Sequence, residues 1–171
     1  MRFVTQATGR LALVALLGVS APPGVLAQGA QKPAPKPVAA APKHVAFTPA
    51  QLQWGPAPPV LPTGAQIAVL DGDPTREGFF TIRLKFPDGY KIAPHWHPTD
   101  ENIVVISGVF TMGLGDKRND ATMHELPAGS FTTLLKEGRH YVGAKGETVV
   151  QIYGQGPFIV NYVNPADHPT K

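Results

Sequence analysis

The stretch Gly89–Gly108, GYKIAPHWHPTDENIVVISG, decides the fold. His95 and His97 stand two apart, Glu101 follows four residues later, and a glycine closes each end. Residues two apart on a β-strand point to one face, so this spacing predicts two imidazoles aimed at one point. Pro98-Thr99-Asp100 reads as a turn that returns Glu101 toward that point from the next strand. Two neutral imidazole nitrogens and one carboxylate suit a divalent ion such as Zn, Fe, Mn, Ni or Co. The bland alternative is an edge hairpin with two solvated histidines.

Outward from this hairpin, the chain alternates short apolar runs with glycine and proline. Strands are predicted at 66–71, 78–86, 91–97, 101–107, 109–113, 122–126, 130–134, 140–144, 148–154 and 158–163. Gly72-Asp73, Pro87-Asp88-Gly89, Pro127-Ala128-Gly129 and Lys145-Gly146 mark turns between them. No stretch sustains a 3.6-residue period, so little helix is expected. Many short strands at regular spacing predict an all-β antiparallel sandwich or barrel. No internal repeat is present, so one barrel is expected rather than two.

The hairpin also resembles the first motif of the cupins. That motif reads Gly, five residues, His-x-His, three residues, Glu, six residues, Gly, and it falls here on Gly89, His95, His97, Glu101 and Gly108 without a spacing error. The resemblance implies a single antiparallel jelly-roll β-barrel and one metal ion. It covers about residues 78–163.

The family's second motif is Gly, five residues, Pro-x-Gly, two residues, His, three residues, Asn, and it is not matched cleanly. Thr132 stands where Pro127-Ala128-Gly129 would place the histidine. In Lys136-Glu137-Gly138-Arg139-His140 one residue is missing, Lys136 replaces the proline and Ala144 the asparagine. By resemblance His140, opening a strand after a turn, is the fourth ligand. His124, in Met123-His124-Glu125-Leu126, is its rival. His44 is expected to be an exposed bystander and His168 part of a mobile tail.

A site of His95, His97, Glu101 and His140 around one divalent ion (Fe, Mn, Zn or Ni) carries a net charge of +1 and keeps room for a small anionic guest. Strand parity from Glu101 puts Ile103 and Val105 on its face. Phe110, Met112, Gln151 and Tyr153 are further candidates for the wall, against the plain reading that they are core. Arg83 would clamp a carboxylate if its face of 79–85 lined the barrel, and is solvated if that face is outward.

Composition narrows the function. With 171 residues one full core is affordable. There is no cysteine, so no disulfide, thiolate ligand or cysteine nucleophile exists. Ser20, Ser107 and Ser130 lie in no Gly-x-Ser-x-Gly elbow. Residues 1–27 read as a secretory signal: Arg2 and Arg10, an apolar run from Leu11 to Val19, and a cut after Ala27. An uncleaved anchor is the alternative, though the run is far short of the ~20 residues that span a bilayer. Residues 28–45, rich in proline and alanine, read as a disordered tether, and 46–171 as the cupin domain. Between Phe47 and Thr63 the prolines forbid a central strand, and Leu52 and Trp54 are expected to lie across the outside of the barrel.

Removing Arg2 and Arg10 leaves 13 basic against 12 acidic residues, a balance that argues against nucleic acid as partner. The expected protein is periplasmic or secreted, is not stably inserted in a membrane, binds a small molecule and has the family's tendency to pair as a homodimer. The resemblance implies a mononuclear metal enzyme of dioxygenase, isomerase or decarboxylase type. The alternatives are a non-catalytic metal- or ligand-binding sensing module and, lastly, a structural barrel that retains its ligands unused.

Overall fold

The computed structural model describes residues 44–170. The predicted signal and nearly all of the tether lie outside the described residues. Nine strands form one curled antiparallel sheet. They are β1 (Gly55–Pro56), β2 (Gln66–Asp71), β3 (Gly78–Phe86), β4 (Lys91–Trp96), β5 (Glu101–Leu114), β6 (His124–Pro127), β7 (Phe131–Leu134), β8 (His140–Gly156) and β9 (Asn161–Tyr162). Three 3₁₀ turns are the only helical segments among the described residues.

β8 is the spine. Its first part pairs with β4 on one side and with the end of β5 on the other. Its second part pairs with β3 and with the start of β5. Path order β1-β2-β3-β8-β4-β9, with β5 joining β6, β7 and β8, closes the sheet into a jelly roll.

Alternation in β3 shows how the sequence builds the wall. Phe80, Ile82, Leu84 and Phe86 are buried, while Phe79, Thr81, Arg83 and Lys85 face outward. Ile103, Val105, Phe110 and Met112 of β5 and Val142, Ala144, Val150 and Ile152 of β8 complete the core. Each such side chain contributes roughly 1.5–3 kcal/mol on full burial. Phe86 stacks on Tyr90 at 4.9 Å, and the Tyr90 hydroxyl donates to the Pro62 carbonyl. That bond pins the segment before β2 to the barrel. Lys85 places its ammonium 4.6 Å over the ring of half-buried Trp54, so Trp54 packs on the outer face as expected.

Two predicted strand pairs are single strands. Residues 101–107 and 109–113 fuse into β5, and 140–144 and 148–154 into β8. The register shifts on both sides of Ser107, and Gly108 and Gly146 adopt positive φ. These glycines bend a continuous ladder instead of ending it. A Cβ at Gly108 would collide with the Glu147 carbonyl oxygen, so the crossing needs glycine there. The bulge also flips parity: Val105 and Phe110 both face inward although they stand five positions apart, an odd step. The predicted strand 158–163 shrinks to Asn161–Tyr162. Phe158 instead donates its N–H to the Pro74 carbonyl at 2.7 Å, which lays 157–160 across the barrel.

Candidate metal centre

β4 carries His95, and His97 follows one residue past its end, but the two do not share a face by simple alternation. The register of β4 against β8 shifts between Ile92 and His95, so Ile92, Pro94, His95 and His97 are all buried. The loop after Trp96 returns the chain into β5, whose first residue is Glu101. His140 opens β8 directly opposite His95 in the antiparallel ladder. The four side chains are 3, 4, 4 and 1 % exposed for His95, His97, Glu101 and His140.

The loop before β8 is docked on the loop between β4 and β5. Glu137 donates its N–H to the His97 carbonyl at 2.7 Å. Lys136 donates its N–H to the Asp100 carboxylate, also at 2.7 Å. These two bonds fix where β8 begins and therefore where His140 stands.

All three imidazoles are oriented the same way. Nδ1 of His95 lies 2.9 Å from the Ala93 carbonyl, Nδ1 of His97 lies 2.8 Å from that of Ile159, and Nδ1 of His140 lies 3.0 Å from that of Gly138. A carbonyl only accepts, so each Nδ1 carries the proton and each Nε2 presents a lone pair inward. This is the outer-sphere arrangement that fixes metal-binding histidines. The ring of Phe158 stacks on His97 at 4.3 Å and 17° and restrains its rotation.

Nitrogen atoms of His95, His97 and His140 lie within 4.8 Å of one another. Glu101 Oε2 stands 3.6 Å from His97 Nε2 and 3.5 Å from His140 Nε2. These gaps exceed a hydrogen bond, and both His97 Nε2 and Glu101 Oε2 are buried without a partner. Two donors each about 2.1 Å from one ion stand about 3–3.5 Å apart, close to the gaps seen. The three histidines are therefore placed so that they could hold a divalent cation, with the Glu101 carboxylate beside two of them.

Electrostatics agree. Burial, with the neighbouring His140 and His97, drives the His95 imidazole well below its usual range. Burial and His140 hold His97 down to about 4, and burial lowers His140. Burial pushes the Glu101 carboxyl up to about 8. Neutral imidazoles thus face a carboxyl that keeps its proton at neutral pH.

Beside this cluster lies a cavity of about 100 Å³. Ile103 and Phe110 line it as expected, with Ile82, Val150 and Ile152. Val60, Leu61, Phe158 and Val160, which strand parity did not reach, line it too. The apolar residues among the prolines of 58–61 were the available signal. Gln151 and Tyr153 belong to the outer face: Gln151 accepts from Arg83 Nε at 3.2 Å, and Tyr153 lies against exposed Phe79. Arg83 is therefore outside the barrel and clamps no ligand in it. His124 is exposed on β6, opposite Met112, and His44 is exposed. His168 is half-buried against Tyr162, ring centroids 5.6 Å apart, where a free tail was expected.

The sequence pattern of a family described as a domain of unknown function, DUF4437, matches residues 20–161. The chain belongs to that family. Solved structures place the fold. The polyketide cyclase RemF from Streptomyces resistomycificus is similar over 72% of this chain and 88% of its own, with TM-score 0.59 and 14% identity. A putative acetylacetone dioxygenase from Methylibium petroleiphilum PM1 is similar over 76% and 88%, with TM-score 0.57 and 19% identity. An RmlC-like cupin from Shewanella frigidimarina NCIMB 400 matches over 67% and 91%, with TM-score 0.52 and 15% identity. The DUF4437 chain thus has the jelly-roll fold of the cupins. No curated protein matches it. Among the described residues no helix is long and apolar enough to cross a membrane.

Proposed function

We propose that this cupin is exported and holds one divalent metal on His95, His97, Glu101 and His140, beside which a small organic molecule binds. The observation that carries this reading is the set of buried, unpartnered polar atoms. His97 Nε2 and Glu101 Oε2 face each other with no hydrogen bond and almost no solvent. Leaving such atoms unpaired costs about 1–3 kcal/mol each, and a bound cation removes that cost for both together.

A bound ion would supply a Lewis-acid centre for an oxygen donor of the guest. The chain's own residues do the rest. Carbonyls of Ala93, Ile159 and Gly138 hold the imidazoles in one tautomer. Glu101 gives up a proton when the ion enters. The apolar walls exclude water from the face opposite the ligands. An enzyme of dioxygenase, isomerase or decarboxylase type is the favoured reading, because the cluster borders a cavity instead of being sealed in the core. The second reading is a non-catalytic binding module. Outside the four ligands only Thr75 brings a polar side chain to the cavity, so no separate acid or base stands ready.

The test is metal content of the protein purified without a histidine tag. About one equivalent is expected in wild type and His124→Ala, and none in His140→Ala. Iron or manganese with oxygen uptake on substrate favours the enzyme, and tight zinc without turnover favours the binding module. Absence of metal after reconstitution overturns the assignment.

A further inference from the structure

The composition of the cavity wall says what kind of guest fits. Sixteen of its lining residues are proline or apolar, the four proposed ligands cluster together, and Thr75 is the sole remaining polar group. Thr75 is itself engaged, donating its hydroxyl to Asp73 at 2.7 Å. No lysine, arginine, asparagine or glutamine lines the cavity. Arg83 is outside the barrel and bonded to Gln151, and Arg118 is held on β4 and β8 by the Ile92 and Val142 carbonyls, away from the cavity lining.

A guest that enters must leave water. Its atoms along the wall meet Ile82, Ile103, Phe110, Val150 and Ile152, which offer neither donor nor acceptor. Only an atom placed at the histidine–glutamate cluster, or at the exposed edge where Thr75 Oγ can still accept, finds a polar side-chain partner. A sugar, a polyol or a second carboxylate would bury groups that nothing in the wall can satisfy. The more exposed edge of the cavity, at Pro58, Val60, Pro74 and Val160, carries no charge that would select a polar guest on entry.

We infer that this cavity takes a small, predominantly hydrocarbon molecule with a single anionic or enolisable oxygen head, and rejects hydroxylated analogues of the same length. The inference rests on the proposed metal centre for the head and on the wall alone for the tail. Each hydroxyl buried without a partner lowers affinity roughly five- to a hundred-fold. Discrimination of at least about 100-fold is therefore expected between two acids that differ only in chain hydroxylation.

Hexanoate and gluconate are such a pair, with equal carbon number and one carboxylate each. Their binding is measured by titration calorimetry on the full-length protein, metal-loaded and metal-free, with metal content determined on the same samples. Hexanoate should bind the loaded protein, with gluconate at least about 100-fold weaker. Val160→Trp, which fills the edge of the cavity, should weaken hexanoate while leaving metal content unchanged. Gluconate binding as tightly as hexanoate, or neither acid binding a protein that carries its metal, overturns the inference. If the protein takes up no metal, the metal reading has failed, and the metal-free titration still decides the wall: preference for hexanoate supports it, and equal or absent binding overturns it.

Discussion

His95, His97 and Glu101 come from one continuous segment of chain, whereas His140 comes from the start of β8, and the two halves reach the same point by different routes. In the segment, chain proximity does the work: the end of β4, a short loop and the first residue of β5 converge their side chains over a few residues, although β4 and β5 share no ladder. The distant half depends on pairing. His140 is opposite His95 in one ladder, while Glu101 pairs with Gly154 near the far end of β8. Only the curl of the closed sheet brings His140 Nε2 to 3.5 Å from Glu101. The lesson is that the local half is set by spacing and the distant half by the docking of two loops.

The largest effect comes from removing the one carboxylate of the local segment. Glu101→Gln should weaken metal binding about 100-fold or more, beyond the usual loss from an outer-sphere partner, as read by competition with a chelator. The pH dependence sharpens the point. Glu101 is held up to about 8 from an ordinary 4.5, so metal entering below that pH displaces one proton. Wild-type affinity should rise about tenfold per unit between pH 6.5 and 8 and then flatten, and the Gln variant should lose this slope. The three histidines are lowered from 6.5, so they stay neutral through that window. For the metal-free protein the raised carboxyl gives the opposite sign. Its contribution to stability is complete below 4.5 and is lost as pH rises through about 8.

These differences track what the sequence could carry. The local half was legible because close spacing and a turn are local properties, and the barrel because glycine and proline punctuate apolar runs. His140 was less so. Its surrounding motif is short by one residue, and only the loop contacts of Lys136 and Glu137 explain how the site closes without it. Gln151 and Tyr153, candidates for the wall, face outward because Val150 and Ile152 take the inward positions of β8. The backbone carbonyl of Ile159, which orients His97, has no side-chain signature at all, since any residue supplies a carbonyl.

Loosening the distant half is the next test. Asp100→Ala removes the acceptor for the Lys136 N–H and should destabilise the fold by about 0.5–2 kcal/mol in denaturant unfolding. Because that bond positions the start of β8, metal affinity should also fall, by about tenfold. An unchanged affinity with reduced stability would mean that the ladder with β4 alone places His140, and the docking argument would fail.

The smallest expected effect works in the other direction. Glu137 is the one non-glycine residue among those described with positive φ, at 63°. A side chain there costs about 1–2 kcal/mol, accepted so that its N–H can reach the His97 carbonyl. Glu137→Gly keeps the N–H and removes the Cβ clash, but it adds about 0.4–1 kcal/mol of unfolded-state entropy. The balance is a gain of about 0.5 kcal/mol, or roughly 1–2 °C in Tm for a domain of this size. Metal affinity should not change, since the exposed carboxylate of Glu137 touches none of the four ligands. A raised Tm with constant affinity identifies the backbone as the part that joins the two halves. A lowered Tm would instead assign that role to the glutamate side chain.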